Sequence, residues 1–233
     1  MSGDDKFILI RNYNLFSHIS EAEYDELNLV HHFIEASKGD FVYFDSHNLN
    51  KLYFLKGGTI KIGFIDNDGK EVIKEIIRQG EVFGQFTLEK NNLNGEFAQA
   101  YKGDVSLCAF NIEDFEKLLK KKPELAFHYS KHVGQKLHRF QNRLLNVLNK
   151  DVRTRLINFL LMLAKEEGGA IENDKFSLQN FLTHEDIAQL IGSSRQTVTT
   201  MLNELESKGF ILVTRQVIEI PSVKNLQKEL GVF

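Results

Sequence analysis

The chain of 233 residues contains a single cysteine, Cys108. An intrachain disulfide framework is therefore excluded, and so is an iron–sulfur cluster, which needs several thiolates. Cys108 lies in the apolar run Val105-Ser106-Leu107-Cys108-Ala109-Phe110, which reads as a buried strand rather than a redox or ligand position. No run of about eighteen apolar residues occurs, and the first residues, MSGDDKFILI, lack the basic start and apolar core of a secretory signal. A cytoplasmic protein without a membrane partner is expected. A basic excess is missing too: the formal net charge is −3, and from Asp151 onward nine Lys or Arg face eleven Asp or Glu. Any grip on nucleic acid must then come from a few placed groups rather than from bulk charge. There is no nucleophile elbow, no glycine-rich phosphate loop opening a helix and no zinc-protease spacing, so an enzyme is not expected.

What the chain does have is concentrated between Leu182 and Ile220, in LTHEDIAQLIGSSRQTVTTMLNELESKGFILVTRQVIEI. Thr183 with Asp186 three positions on forms a capping-box-like start, and apolar Ile187, Leu190 and Ile191 follow at helical spacing. Gly192 lets the backbone turn, Ser193 and Ser194 offer hydroxyls to the next helix, and Val198, Met201, Leu202 and Leu205 form its buried stripe. Arg195, Gln196, Thr199 and Thr200 fall on the opposite face. Arginine donates two hydrogen bonds to guanine, glutamine pairs with adenine, and threonine offers a hydroxyl and a methyl. These four, with Ser194 at the helix start, are the candidates for contact with double-stranded DNA. Lys208-Gly209 closes the helix, and Ile211-Leu212-Val213 and Val217 to Ile220 flank a polar turn with Arg215 at its tip, in reach of a phosphate. The pattern is that of a winged helix-turn-helix, which places one short helix in the major groove.

These residues resemble the DNA-binding domain of the Crp/Fnr family of bacterial transcription regulators. In that family G-x-S-R-E-T-V-x-R opens the recognition helix, and Gly192, Ser194, Arg195, Thr197 and Val198 occupy the matching places. Gln196 stands for the usual glutamate and Thr200 for a common arginine, so the resemblance implies a palindromic site without fixing its sequence.

The N-terminal half carries turn signals at Lys38-Gly39-Asp40, Lys56-Gly57-Gly58, Asp66 to Gly69 and Gln79-Gly80-Glu81. Between them, Phe41 to Phe44, Leu52 to Leu55, Thr59 to Ile65 and Glu71 to Ile77 read as short antiparallel strands. An all-β sandwich or roll follows, and its pattern resembles the cyclic-nucleotide-binding-like β-roll that accompanies this DNA-binding domain in the family. Members that bind cyclic nucleotides hold the phosphate with an F-G-E-[LI] turn followed by an Arg-Ser pair. The turn is Phe83-Gly84-Gln85-Phe86 here, and aligning Ala100 with the alanine after that pair puts Asn94 and Gly95 in its place. A phosphodiester there would lack its charge-assisted partner, so no useful affinity for cyclic AMP or cyclic GMP is expected.

After Pro123, Val133, Leu137, Phe140, Leu144 and Val147 recur by four and three residues, the seam of a coiled coil. Pairing with the same helix of a second chain is the economical reading, and packing onto the β-roll is the alternative. On the resemblance, Phe140 and Gln141 align with a Thr-Ser pair that touches the adenine of cyclic AMP. An aromatic there implies either a self-filled pocket or a different, more apolar ligand. Gly84, Gln85, Asn94, Gly95, Phe140 and Gln141 are thus the effector-pocket candidates. His128 and His132 share a helix face, yet nothing nearby completes a metal site, so neither metal nor cofactor is expected.

The expected architecture is α+β: a jelly-roll-like sensor roll over 1–120, a dimerisation helix over 121–150 and a winged helix-turn-helix over 151–233, with one extra helix from Ser222 to Leu230. The expected function is regulation of transcription by a homodimer on a palindromic operator, with an unidentified small-molecule effector or none. Activation would add RNA polymerase as a partner. The family's mechanism implies a hinge near Asp151. The rival reading is a sensor or interaction module whose C-terminal domain binds a protein instead of DNA.

Overall fold

The computed structural model describes residues 32–44, 50–84, 95–166, 174–180 and 182–231. The chain divides between His138 and Arg139 into two compact units. In the first, strands β1 (His32–Ala36), β2 (Phe41–Phe44), β3 (Lys51–Ile65), β4 (Glu71–Arg78), β5 (Val82–Gly84) and β6 (Glu96–Asn111) form one antiparallel sheet. Helices α1 (Ile112–Lys121) and α2 (Pro123–Asn149) follow it.

The long strands β3 and β6 pair along their whole length and form the spine. One half of this ribbon is flanked by β1 on β6 and β5 on β3, the other by β2 on β6 and β4 on β3. Lys56-Gly57-Gly58, expected as a turn between two strands, instead lies inside the 15-residue β3, where the register shifts on both sides of Gly57. Gly58 has φ +85°, and a Cβ there would sit 2.4 Å from the Asp104 carbonyl oxygen. Glycine therefore serves a bulge within the strand rather than ending it.

The bulge changes which residues face inward. Tyr53 and Leu55 enter the inner core before it, and Ile60 and Ile62 after it, so odd positions give way to even ones. Opposite, β6 makes the same change between Ala98 and Ala100 on one side and Val105, Leu107 and Ala109 on the other. Lys102, with φ +68°, lies between the two sets. The two halves thus close over one core, which is the roll. The residues left facing outward, Leu52, Phe54, Cys108 and Phe110, form a second core with Phe115, Leu118 and Leu119 of α1 and Leu125 and Tyr129 of α2. Cys108 is buried there, and desolvation pushes its thiol up to about 11.

The second unit contains the end of α2, then α3 (Val152–Glu166), β7 (Phe176–Gln179), α4 (His184–Ile191), α5 (Arg195–Ser207), β8 (Leu212–Val213), β9 (Val217–Ile220) and α6 (Val223–Lys228). The expected hairpin is β8–β9, but β9 pairs with β7 on its other edge, so the wing belongs to a three-stranded sheet. The apolar–polar alternation of Phe176-Ser177-Leu178-Gln179 is the signal of β7, and four residues make it easy to miss. Ser222 caps α6 by accepting from the Asn225 N–H at 3.1 Å, and Leu226 is buried.

The candidate nucleic-acid interface

The capping box at the start of α4 is complete. Thr183 Oγ1 accepts from the Asp186 N–H at 3.1 Å, and Asp186 Oδ2 accepts from the Thr183 N–H at 2.6 Å. Gly192 ends the helix in the left-handed region, φ 68°, ψ 53°, and the Ser193 N–H returns to the Ala188 oxygen at 2.8 Å. Ser194 then caps α5, its Oγ accepting from the Thr197 N–H at 3.1 Å. The two helix starts and the turn between them are thus closed by three side chains and one glycine, which sets where α5 begins.

Val198, Leu202 and Leu205 bury one face of α5, and Arg195, Gln196 and Thr200 are exposed on the other. Thr199 is half-buried, and its hydroxyl donates to the Arg195 oxygen at 2.9 Å while lying 2.9 Å from Nδ1 of His184. With that hydroxyl proton used, the His184 ring must donate through Nδ1. Thr200 also donates to the carbonyl four residues back, Gln196, at 3.1 Å. Both threonine hydroxyls are thus bonded within the helix, and among the described residues the exposed ends of Arg195 and Gln196 have no partner, leaving them to offer the major-groove hydrogen bonds. Arg215 is exposed at the wing tip. No motif marks His184 or Asn180, because their partners lie 15 and 34 residues along the chain: His184 meets Thr199, and Asn180 donates to the Thr214 carbonyl.

The corner between α2 and α3 is heavily tied. Asp151 caps α3 by accepting from the Thr154 N–H at 2.8 Å, which holds its carboxyl below the usual range. Arg155 donates to the carbonyls of Val147 at 3.4 Å, Lys150 at 3.2 Å and Gly192 at 2.9 Å, and Arg143 reaches that of Gln189 at 3.3 Å. The segment at Asp151 is thus bonded to the turn of the helix-turn-helix.

Of the effector-pocket candidates, Gln85 and Asn94 lie outside the described residues. Gly84 ends β5, where a Cβ would meet the Lys51 oxygen at 2.6 Å and the Tyr53 ring at 2.8 Å. Gly95 precedes β6, with nothing within 4 Å of a Cβ added there. Phe140, half-buried, and Gln141, exposed, lie on α2 in the second unit. Inside the roll, Tyr43, Tyr53 and Phe83 stack at centroid distances of 5.0 to 6.4 Å. Beside them the Tyr43 hydroxyl donates to Glu96 at 2.9 Å, Lys74 pairs with Glu96 at 2.6 Å, and Lys136 of α2 pairs with Glu75 at 3.0 Å. Burial, then Glu96, raises the Tyr43 phenol far above its ordinary value. Among the described residues no three His, Cys, Asp or Glu side chains converge to hold a metal ion, and no helix is long and apolar enough to cross a membrane.

Comparison with known proteins matches both units. The model of the cyclic nucleotide-binding domain matches residues 33–122, and that of the Crp-like helix-turn-helix domain residues 154–229. The global nitrogen regulator of Nostoc sp. is 28% identical over 189 residues, covering 81% of this chain and 84% of that protein. The cAMP-activated global transcriptional regulator CRP of Pasteurella multocida is 29% identical over 161 residues, 69% of this chain and 76% of that one. A CooA variant from Carboxydothermus hydrogenoformans has the same fold, with a TM-score of 0.76, 22% identity, and 94% and 96% of the two chains covered. With a cyclic nucleotide-binding type of roll and a Crp-like helix-turn-helix in one chain, the protein belongs to the Crp/Fnr family of DNA-binding transcription regulators.

Proposed function

We propose that the protein binds a palindromic operator as a homodimer, placing α5 in the major groove with Arg195, Gln196, Thr199 and Thr200 toward the bases, and Ser194 and Arg215 toward the backbone. The observation that carries this reading is the division of α5: Val198, Leu202 and Leu205 are buried, Met201 of the expected stripe is half-buried, and Arg195, Gln196 and Thr200 are exposed opposite them on a helix opened by a formed cap. The domain assignment follows function, with a sensor roll over 1–120, a dimerisation helix over 121–150 and a DNA-binding domain over 151–233. Such a regulator acts where the DNA is, in the cytoplasm.

Dimerisation through α2 is supported by what its surface leaves in water. Leu137 is 57% exposed, Leu144 59% and Val147 42%, and Leu145 and Leu148 extend the stripe. Large apolar side chains repeated along one helix mark an interface. Val133 packs partly against the core of the first unit, so the proposed seam runs chiefly from Leu137 to Val147, with Phe140 between.

The effector, if there is one, is not a cyclic nucleotide. Gly95 offers no cation, the neighbouring Glu96 brings a carboxylate, and Lys74 is already paired with it, so a phosphate there would meet like charge. Selection from a pool of random duplexes, with purified protein and no added ligand, tests the reading. Enrichment of an inverted repeat that is lost with Arg195→Ala supports it. An enriched single, unrepeated site would remove the dimer, and indifference to all DNA with and without cell extract would remove DNA binding.

A further inference from the structure

We propose that Asn180 is a positioning residue for DNA binding, holding the wing so that Arg215 meets a phosphate. The proposal rests on the reading of Arg215 given above. Thr214 and Gln216 flank Arg215, and Asn180 binds the carbonyl of each: Nδ2 donates to the Thr214 oxygen at 2.6 Å, and the backbone N–H to the Gln216 oxygen at 2.7 Å. Its Oδ1 accepts from the Leu182 N–H at 2.9 Å, so the amide is oriented by a donor on one side and an acceptor on the other.

The wing also has bonds of its own. Thr214 Oγ1 accepts from the Gln216 and Val217 N–H groups at 3.2 and 2.9 Å, and the Thr214 N–H donates to the Val217 oxygen at 2.8 Å. These bonds shape the loop but tie it only to β9, its own continuation. Asn180 ties it to the segment between β7 and the Thr183 cap of α4, so one residue links the wing tip to the start of the helix-turn-helix. The backbone bond to Gln216 survives any substitution of Asn180, but without the Nδ2 bond the Thr214 side of the turn is free to move, and Arg215 no longer reaches its phosphate, so the contact and the counterion release that goes with it are lost.

The test uses the full-length protein and a duplex selected as its operator, with Kd measured from low to high KCl. Each phosphate contact contributes about 0.9 to the slope of log K against log salt, so Arg215→Ala lowers the slope by about one per wing, with sequence preference unchanged. Asn180→Ala and Asn180→Ser are expected to give that same loss, and either combined with Arg215→Ala no further loss. Serine retains an acceptor for the Leu182 N–H but does not reach Thr214, so it separates the local turn from the wing. Simple damage to the fold would weaken binding at every salt concentration without changing the slope. A wild-type slope in both Asn180 variants, with a reduced one in Arg215→Ala, overturns the proposal. An unchanged slope in Arg215→Ala overturns the reading of Arg215 and the proposal with it.

Discussion

The Arg155 guanidinium donates to the carbonyl of Gly192 at 2.9 Å, joining the start of α3 to the turn of the helix-turn-helix. The same side chain reaches Val147 and Lys150 at the end of α2. The last carbonyls of a helix lack partners and carry partial negative charge, and here two helix ends, of α2 and α4, share one cation. Arg155→Ala leaves these carbonyls without it and is expected to cost about 2 kcal/mol, the range for hydrogen bonds to a charged donor in a half-buried place. Arg155→Lys, which keeps the charge but not the fork, should fall between. Urea unfolding followed by circular dichroism measures both, and a loss in Arg155→Ala below about 0.5 kcal/mol, the scatter of ordinary surface changes, would show that the corner is held by packing alone.

Glycine at one turn and at one strand bulge is required for different reasons. At Gly192 an added Cβ meets only Val147, at 3.6 Å, an ordinary contact, so Gly192→Ala is expected to cost only the left-handed backbone, about 1–2 kcal/mol. At Gly58 the same atom would fall 2.4 Å from a backbone oxygen and 2.8 Å from Val105 Cγ1. Backbone strain and overpacking then add, and Gly58→Ala should lose roughly 3 kcal/mol or more. Thermal melts of the two variants give the ranking, and equal losses would mean that the bulge relaxes freely.

Alkaline pH should destabilise the first unit. Burial pushes the phenols of Tyr53 and Tyr129 up to about 12, from an ordinary value near 10. Between those values the unfolded chain has released a proton that the folded chain retains, so stability falls as pH rises. The contribution is fully present below about pH 10 and is lost toward pH 12, at up to about 1.4 kcal/mol per pH unit for each tyrosine. Urea unfolding at pH 9 and 10.5 should show the drop, and Tyr53→Phe should make it shallower. A slope indifferent to both Tyr53→Phe and Tyr129→Phe would place the alkaline loss elsewhere.

Local chemistry made much of the fold legible in the sequence. Thr183, Gly192 and Ser194 each act within a few residues of themselves, and their roles as cap, turn and cap are those the sequence implies. Lys56-Gly57-Gly58 has the composition of a turn, and only the partner strand β6 makes it a bulge within one strand. Asn180 and Arg155 belong to the same class, since their partners lie 34 and 37 residues away. No periodicity or motif marks such bonds, because they depend on elements meeting in space.

The exposed stripe of α2 predicts a change of assembly. Leu144→Lys places a charge at a position that is 59% exposed in the single chain, so the protomer should fold and melt almost as before. In a seam of two such helices the lysines would face apolar partners, at several kcal/mol, enough to shift a micromolar dimer to monomer. Sedimentation velocity reads the mass directly. Because each half-site then has to be bound by itself, affinity for a palindrome should fall toward that for one half-site. A Leu144→Lys protein that still sediments as a dimer would move the interface off this stripe, and Leu137→Lys would then report whether any of α2 belongs to it.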